Sequence, residues 1–409
     1  MKPQLPDEWK NIRAALNYIE EADTPPTRAN VAEYLSLSRT TASSIASQLI
    51  NMGLIEELKT EKNGRGRPGI PLRISSGRWY ALGAAFTGNE WRFLFVDLYG
   101  KIIREHTERV DNFSVDDFTK NLLKGLSFML KKKPGPLVPL IGIGSPGVVD
   151  SDTGVIIHAN DMGWRQVGLG ETIHKTTGIN ALIMNRYRVS GLAEARFGVG
   201  RNVKNLIYIG IGTGICAAFI NDGVLLEGTN FSAGEIGHIL VDPEGPHCGC
   251  GKRGCLQAMA SSQALVEVIR NIHKSLLAKN KKLPPNPLWD ILHDHSLLSG
   301  ELIGEEANRG NGVAIAGMER IARILGIAAA NLVNTMNPRK IIIGGTLGDT
   351  GPLLTRLIYR EVEKRAMETP LQAVTIEQGL LGNRAAALGA AYLPLHYKLE
   401  ILLQQGFKQ

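Results

Sequence analysis

Apolar residues recur at three- and four-residue intervals near the start of the chain. Trp9, Ile12, Leu16 and Ile19 share one face of a helix that Pro25-Pro26 stops. Thr27 is placed to N-cap a second helix running through Leu35. Ser38 is placed to cap a third over 39–52, closed by Gly53. That third helix sets Ala42, Ile45, Ala46 and Leu49 against a polar face of Arg39, Thr40, Ser43, Ser44 and Gln48. Two strand-like pieces follow, 54–60 and 70–75, on either side of a glycine- and arginine-containing tip at 61–69. Three helices and a hairpin are the elements of a winged helix-turn-helix, predicted over residues 1–78. From Tyr80 the texture changes to apolar runs punctuated by glycine, alternating with helical stretches, which is the pattern of an α/β protein. The runs predict strands at 81–85, 91–98, 138–144, 181–185, 205–210, 215–220 and 340–344. Helices are predicted at 116–130, 189–196, 262–279, 313–336 and 384–394.

Charge sharpens the first region. The whole chain of 409 residues carries 46 Lys and Arg against 39 Asp and Glu, a formal +7. Residues 59–78 hold six bases (Lys59, Lys62, Arg65, Arg67, Arg73, Arg78) and one acid, whereas residues 1–58 hold five bases and eight acids. The positive field is therefore concentrated on the hairpin, where phosphate oxygens attract it, and a narrow tip can lay Arg65 and Arg67 in an A·T-rich minor groove. The candidate DNA-reading set is Ser38, Arg39, Thr40, Thr41, Ser43, Ser44 and Gln48 on the third helix, with Arg65 and Arg67 on the wing. Arg39 is the candidate for a guanine contact, and Gln48 can instead reach a phosphate.

Four cysteines in so long a chain cannot build a disulfide framework, and three of them fall within eight positions: Cys248, Cys250 and Cys255. With His238 they make a Cys₃His set that suits tetrahedral Zn²⁺. A set with all four positions filled by protein is structural, leaving no open position for an activated water. His247, beside Cys248, is an alternative fourth ligand. The N-terminal stretch has no apolar core of signal-peptide type, and no apolar run approaches the roughly 20 residues that span a bilayer, so a cytoplasmic location is expected.

Gly234-Glu235-Ile236-Gly237-His238 followed by the Cys248 to Gln257 segment resembles the signature of the ROK family (repressors, open reading frames, kinases), and the helices in front resemble its sugar-responsive repressor branch. The resemblance extends through Gly142 to Gly147, Val149-Asp150, 160–164, Gly212-Thr213-Gly214, Asn337-Pro338 and Gly344-Gly345. It implies an actin-like (RNase H-like) two-lobed sugar-kinase fold with a ligand cleft between the lobes. One lobe would cover 79–188, completed by 382–409, and the other 189–381. It also implies zinc on His238, Cys248, Cys250 and Cys255.

Sugar kinases of this family carry an Asp-x-Gly-x-Thr turn after the first strand, where backbone amides receive phosphates. In register with Gly83 and Val96-Asp97-Leu98, this chain has Ala85, Thr87 and Asn89 at those positions. The family's general base is the Asp of Asn-Asp-Ala-Asn. Here that stretch reads Asn185-Arg186-Tyr187-Arg188, and a guanidinium cannot act as a base. No kinase activity is expected.

Family sugar contacts map onto Asn185, Glu235 and His238, with Asn160 in the adjoining stretch, but the glutamate expected after Cys255-Leu256 is Gln257. The cationic Arg186 admits three readings. It can pair with an anionic group of a sugar phosphate or sugar acid. It can turn away to a neighbouring acid and leave a neutral sugar. Or it can pair with Glu235 and fill the cleft. The expected protein is a DNA-binding regulator, acting as a repressor on a palindromic operator as a homodimer or dimer of dimers, and answering to a sugar or anionic sugar derivative. Two alternatives are an effector-independent regulator that uses the sugar-kinase fold for dimerisation, and a sugar kinase with a fused DNA-binding domain.

Overall fold

A computed structural model describes residues 6, 9–59, 69–278, 285–292, 294 and 297–404. The chain opens with α1 (Lys10–Glu21), α2 (Arg28–Tyr34) and α3 (Arg39–Asn51), followed by β1 (Ile55–Glu57) and β2 (Leu72–Ile74). The two strands pair antiparallel, with Ile55 opposite Ile74. Leu16, Val31, Ala42, Leu49, Leu54 and Leu72 are fully buried where these five elements meet, so the helical spacing read from the sequence faces one small core. Both expected caps form. Thr27 makes a capping box with Asn30, and the Ser38 hydroxyl accepts from the Thr41 amide at 3.1 Å. The arginine-bearing tip, with Arg65 and Arg67, lies outside the described residues.

The chain continues through β3 (Tyr80–Thr87), β4 (Glu90–Asp97), β5 (Ile102–Arg109), α4 (Val115–Lys131) and β6 (Leu137–Ser145). Next come β7 (Val148–Asp150), β8 (Val155–Ala159), β9 (Trp164–Val167), α5 (Leu169–Thr177), β10 (Asn180–Asn185) and α6 (Arg186–Phe197). The second half starts with β11 (Leu206–Ile211), β12 (Ile215–Asn221) and β13 (Val224–Leu225). Helices α7 (Leu256–Ala260), α8 (Ser262–Ala278), α9 (Pro287–Asp290), α10 (Gly300–Asn308) and α11 (Gly312–Met336) follow. The last elements are β14 (Lys340–Gly344), α12 (Gly345–Gly348), α13 (Pro352–Glu363), α14 (Glu368–Ala373), β15 (Thr375–Gln378), α15 (Ala385–His396) and α16 (Lys398–Gln404).

Two five-stranded sheets repeat one plan. The first runs β10-β6-β3-β4-β5, with β10, β6 and β3 parallel and β3, β4 and β5 antiparallel. The second runs β13-β12-β11-β14-β15, with β11, β14 and β15 parallel and β11, β12 and β13 antiparallel. Strands β7 to β9 form a small separate sheet. Helix α15 lies directly on the first sheet: a Cβ at Gly142 would meet the Ala390 carbonyl oxygen at 1.8 Å, so only glycine permits the approach. The same helix meets α6 at Gly389, where a Cβ would fall 1.8 Å from the Val189 carbonyl oxygen. Helix α6 in turn packs on β11 and β12, so α6 and α15 join the two sheets. No described helix is long and apolar enough to cross a membrane.

Candidate functional site

His238 ends a single 3-10 turn, Ile236–His238, and the segment after it folds back as a knuckle. The Cys248 amide donates to the Lys252 carbonyl at 2.8 Å, and Cys255 bridges Leu240. These bonds bring His238, Cys248, Cys250 and Cys255 together, with ligand atoms all within 4.8 Å of one another. His238 Nδ1 lies 3.7 Å from the Cys248 sulfur, and the Cys250 and Cys255 sulfurs are 3.7 Å apart. His247 is exposed and paired through its backbone with Arg253, outside this group. Burial pushes the Cys255 thiol up to about 12, reinforced by hydrogen bonds with the neighbouring thiols. Burial also lowers the His238 ring, keeping it neutral. Burial raises the Cys248 thiol as well, while at Cys250 burial is outweighed by hydrogen bonds with the Lys252 amide and the neighbouring thiols, which lower it. Three crowded thiols and one neutral imidazole are the donor set that a soft divalent cation holds as thiolates, and they fit Zn²⁺.

The far side of His238 lines a narrow cleft of about 60 Å³ between the two sheets. Asn160, Asn185, Arg186, Glu235, His238 and Gln257 all line it, so the six ligand-site candidates converge. Asn185 N-caps α6: its Oδ1 accepts from the Tyr187 amide at 2.8 Å, while its Nδ2 donates to the Gly147 carbonyl at 2.9 Å. Burial raises the Glu235 carboxyl, and the Cys216 thiol faces it at 3.8 Å.

Arg186 pairs with neither Glu235 nor any other acid among the described residues. Its guanidinium donates to Thr213 Oγ1 at 3.2 Å and sits 5.0 Å from the Tyr187 ring. Neither acid pairing of Arg186 considered from the sequence is therefore present in this structure. The sequence reading also missed Arg188, which is almost wholly buried. It donates to the Phe231 carbonyl at 2.8 Å and the Leu226 carbonyl at 3.4 Å, and stands 4.0 Å from Glu227. Asp161 was missed as well: it accepts from Gln257 Nε2 at 2.7 Å across the cleft.

A second cavity of about 220 Å³ adjoins the cleft, with Arg186 and Tyr187 in the wall between them. Thr87, Glu301, Glu305, Thr346 and Asp349 line it. The space above Gly212 is already filled, since a Cβ there would fall 2.5 Å from the Tyr187 hydroxyl and 2.7 Å from Thr346 Oγ1. Ala85 is buried in β3, and Thr87 and Asn89 sit at the hairpin that follows, with the Asn89 carbonyl accepting from Val110.

On α3, Ser38, Arg39, Thr40, Thr41 and Ser44 are exposed and lie at or near its N-terminal end. Ser43 departs from the outward placement read from the sequence: it is half-buried, and its carbonyl accepts from Arg28 at 3.2 Å. Gln48 is half-buried and donates to Ser44 at 3.4 Å.

The two-sheet body, the Cys₃His knuckle and the cleft beside it define a sugar-kinase-like protein. The ROK family model matches residues 83–396, and the chain belongs to the ROK family. The first 82 residues lie outside that match. The chain is 31% identical over 329 residues to a glucokinase of Halalkalibacterium halodurans, covering 78% of this chain and 95% of the relative. It is 26% identical over 382 residues to the xylose repressor of Bacillus spizizenii, covering 93% of this chain and 94% of the repressor. Among solved structures, a ROK family transcriptional regulator, a homologue of the Escherichia coli Mlc protein, superposes with a TM-score of 0.81 at 26% identity. That superposition covers 98% of this chain and 99% of the other.

Proposed function

We propose that this chain is a DNA-binding transcriptional regulator of the repressor type, whose cleft takes a sugar or sugar derivative that alters operator affinity. Residues 1–78 would act as a winged helix-turn-helix. Residues 79–188 with 382–409 and residues 189–381 would be the two lobes of the sensor. The observation that carries this reading is the extent of the likeness: repressors and a ROK regulator match along nearly the whole chain, including the helices that precede the ROK region. The exposed face of α3, beginning at Ser38 and Arg39, is the natural reading surface for a major groove, with Arg65 and Arg67 of the wing following the adjacent minor groove. Zn²⁺ on His238, Cys248, Cys250 and Cys255 would staple the knuckle that holds His238 and Gln257 against the cleft, a structural role.

Loss of kinase chemistry is supported by Arg186 at the place of the general base, by Ala85, Thr87 and Asn89 in place of the phosphate-binding turn, and by the filled space above Gly212. The test is selection of the bound operator from a random duplex library, followed by binding assays with the full chain. Arg39→Ala should weaken the selected duplex and relax one position of its sequence, with a loss of about 1–3 kcal/mol. Sugar-dependent release of ADP from ATP would sink the reading.

A second reading has one observation in its favour. The cleft is small and bridged by Asp161 and Gln257, as it would be in a regulator that no longer takes an effector. Operator binding that no sugar relieves would select it.

A further inference from the structure

Asp161 and Gln257 reach each other from opposite sides of the cleft mouth. Asp161 lies in the 3-10 turn Asn160–Met162, which follows β8 on the side of the first sheet. Gln257 lies in the first turn of α7, two residues past Cys255, on the side of the second. The glutamine amide is used in both directions: Nε2 donates to Asp161 Oδ1 at 2.7 Å, and Oε1 accepts from the Ile215 amide at 3.3 Å. Asp161 Oδ2 points over Gly214, where a Cβ would stand 3.2 Å away. With this hydrogen bond formed, the cleft has about 60 Å³ of free space, room for a few water molecules but not for a sugar ring.

We propose that the Asp161–Gln257 hydrogen bond is a strap across the mouth of the effector cleft. A ligand enters by displacing it, and the released Asp161 carboxylate then selects a ligand that offers a hydroxyl or ammonium group over one that offers an anion. This rests on the reading of the cleft as an effector site. A carboxylate accepts and cannot donate, so whatever takes the place of the Gln257 amide must bring a donor of its own. An anion in the same place would face Asp161 and Glu235 together; among the described lining residues Arg186 is the one guanidinium or ammonium and is engaged by Thr213, and Arg188, outside the lining, is engaged by the Phe231 and Leu226 carbonyls. The strap touches solvent, so it delays entry by a modest factor and sets the ligand concentration at which the cleft responds.

Cys216 supplies a readout that needs no knowledge of the ligand. Its thiol is 3% exposed and lines the cleft behind the strap, while the other three cysteines sit in the Cys₃His group. In the zinc-loaded full chain, modification of Cys216 by a cationic ethylammonium and an anionic ethylsulfonate methanethiosulfonate is timed by peptide mass spectrometry. Gln257→Ala should speed both reagents about threefold or more, the factor expected for loss of one solvent-touching charge-assisted hydrogen bond. Asp161→Asn should lower the ratio of cationic to anionic rates several-fold, because it removes the charge and keeps an acceptor. Equal rates in wild type and Gln257→Ala at one fixed pH, or a rate ratio untouched by Asp161→Asn, would each overturn the proposal. Operator binding is measured on the same variants. A failed strap would leave that binding intact, and failed DNA binding would leave the Cys216 rates readable.

Discussion

Cys248 is held where its sulfur meets the His238 ring, and the cluster it belongs to joins the end of one short turn to the start of α7. Cys248→Ala is therefore expected to lose zinc and to destabilise the chain by more than about 4 kcal/mol, beyond the range of ordinary substitutions. Metal content by mass spectrometry and denaturant unfolding together check this. A variant with one zinc per chain and unchanged stability would count against the structural role.

Asp349, in the wall of the second cavity, gives a prediction with a definite sign. Burial, helped by the charge of Glu194, pushes its carboxyl from 3.8 to about 7. The folded chain then holds a proton that the unfolded chain has released, so the stability it contributes is full below about pH 4 and lost as the pH rises through 7. Asp349→Asn should remove that loss, narrowing the fall in stability between pH 4 and pH 8 by up to about 4 kcal/mol. Urea unfolding across that range is the measurement, and parallel wild-type and variant curves would refute it.

The residues carrying chemistry were partly legible in the sequence. His238 and the three cysteines stood out by spacing and by donor type, and Arg186 stood out against the motif it interrupts. Asp161 and Arg188 did not. Asp161 acquires its partner from 96 positions away, and Arg188 acquires its carbonyls from about 40 positions away, through folding that no local pattern encodes.

Among the elements, the legible strands were the buried ones. Strands β3, β4, β6, β11, β12 and β14 are apolar runs closed in by neighbours, and β10 buries four of its six residues. Strand β5 was missed because Arg104-Glu105-His106-Thr107-Glu108-Arg109 has no alternation to read. It lies at a sheet edge with one partner and no fully buried residue.

Helix α1 shows a second limit of periodicity. Its apolar face was predicted, but its polar flank docks on the far end of the chain. Lys398 pairs with Glu20 at 2.5 Å, Arg13 with Glu400, and Arg196 on α6 with Glu20 at 3.4 Å. Lys398 and Glu400 are buried, so removing one partner strands another. Lys398→Met should cost roughly 3–5 kcal/mol in unfolding experiments. His396, at the end of α15, is packed beside this network, facing Arg13, Lys398, Glu20 and Arg196. Burial first, and the charges of Arg13 and Lys398 next, hold its ring down to about 4. The stability it contributes is present above about pH 6.5 and is lost as the pH falls towards 4. His396→Gln should flatten that acid limb by up to about 3 kcal/mol, read from urea unfolding between pH 4 and 7.

At the scale of the whole molecule, the ion pairs of α1 connect the three N-terminal helices to α6 and α16. Helix α6 also carries Asn185 and Arg186 at its start, against the cleft. Under the proposed function, a ligand-induced change at the cleft would have a continuous packed route through α6 to the first helix. A cavity of about 470 Å³ separates part of the first region from the body, lined by Ile19, Glu20 and Leu72 on one side and by Leu98, Arg196 and Leu395 on the other. Regulation by such a route is a shift between two arrangements, limited by the ligand's differential affinity for them. The formal +7 of the chain matters less to the proposed DNA binding than the six bases within residues 59–78, which would make that binding steep in salt.

The central claim is that DNA affinity answers to a sugar. Its most direct test is fluorescence anisotropy of the full chain on its selected operator, at fixed salt, with a panel of neutral, amino and phosphorylated sugars. The account predicts that at least one uncharged or amino sugar lowers operator affinity tenfold or so, a coupling of about 1.4 kcal/mol, with phosphorylated analogues weaker. Operator affinity that stays constant across the whole panel would contradict it.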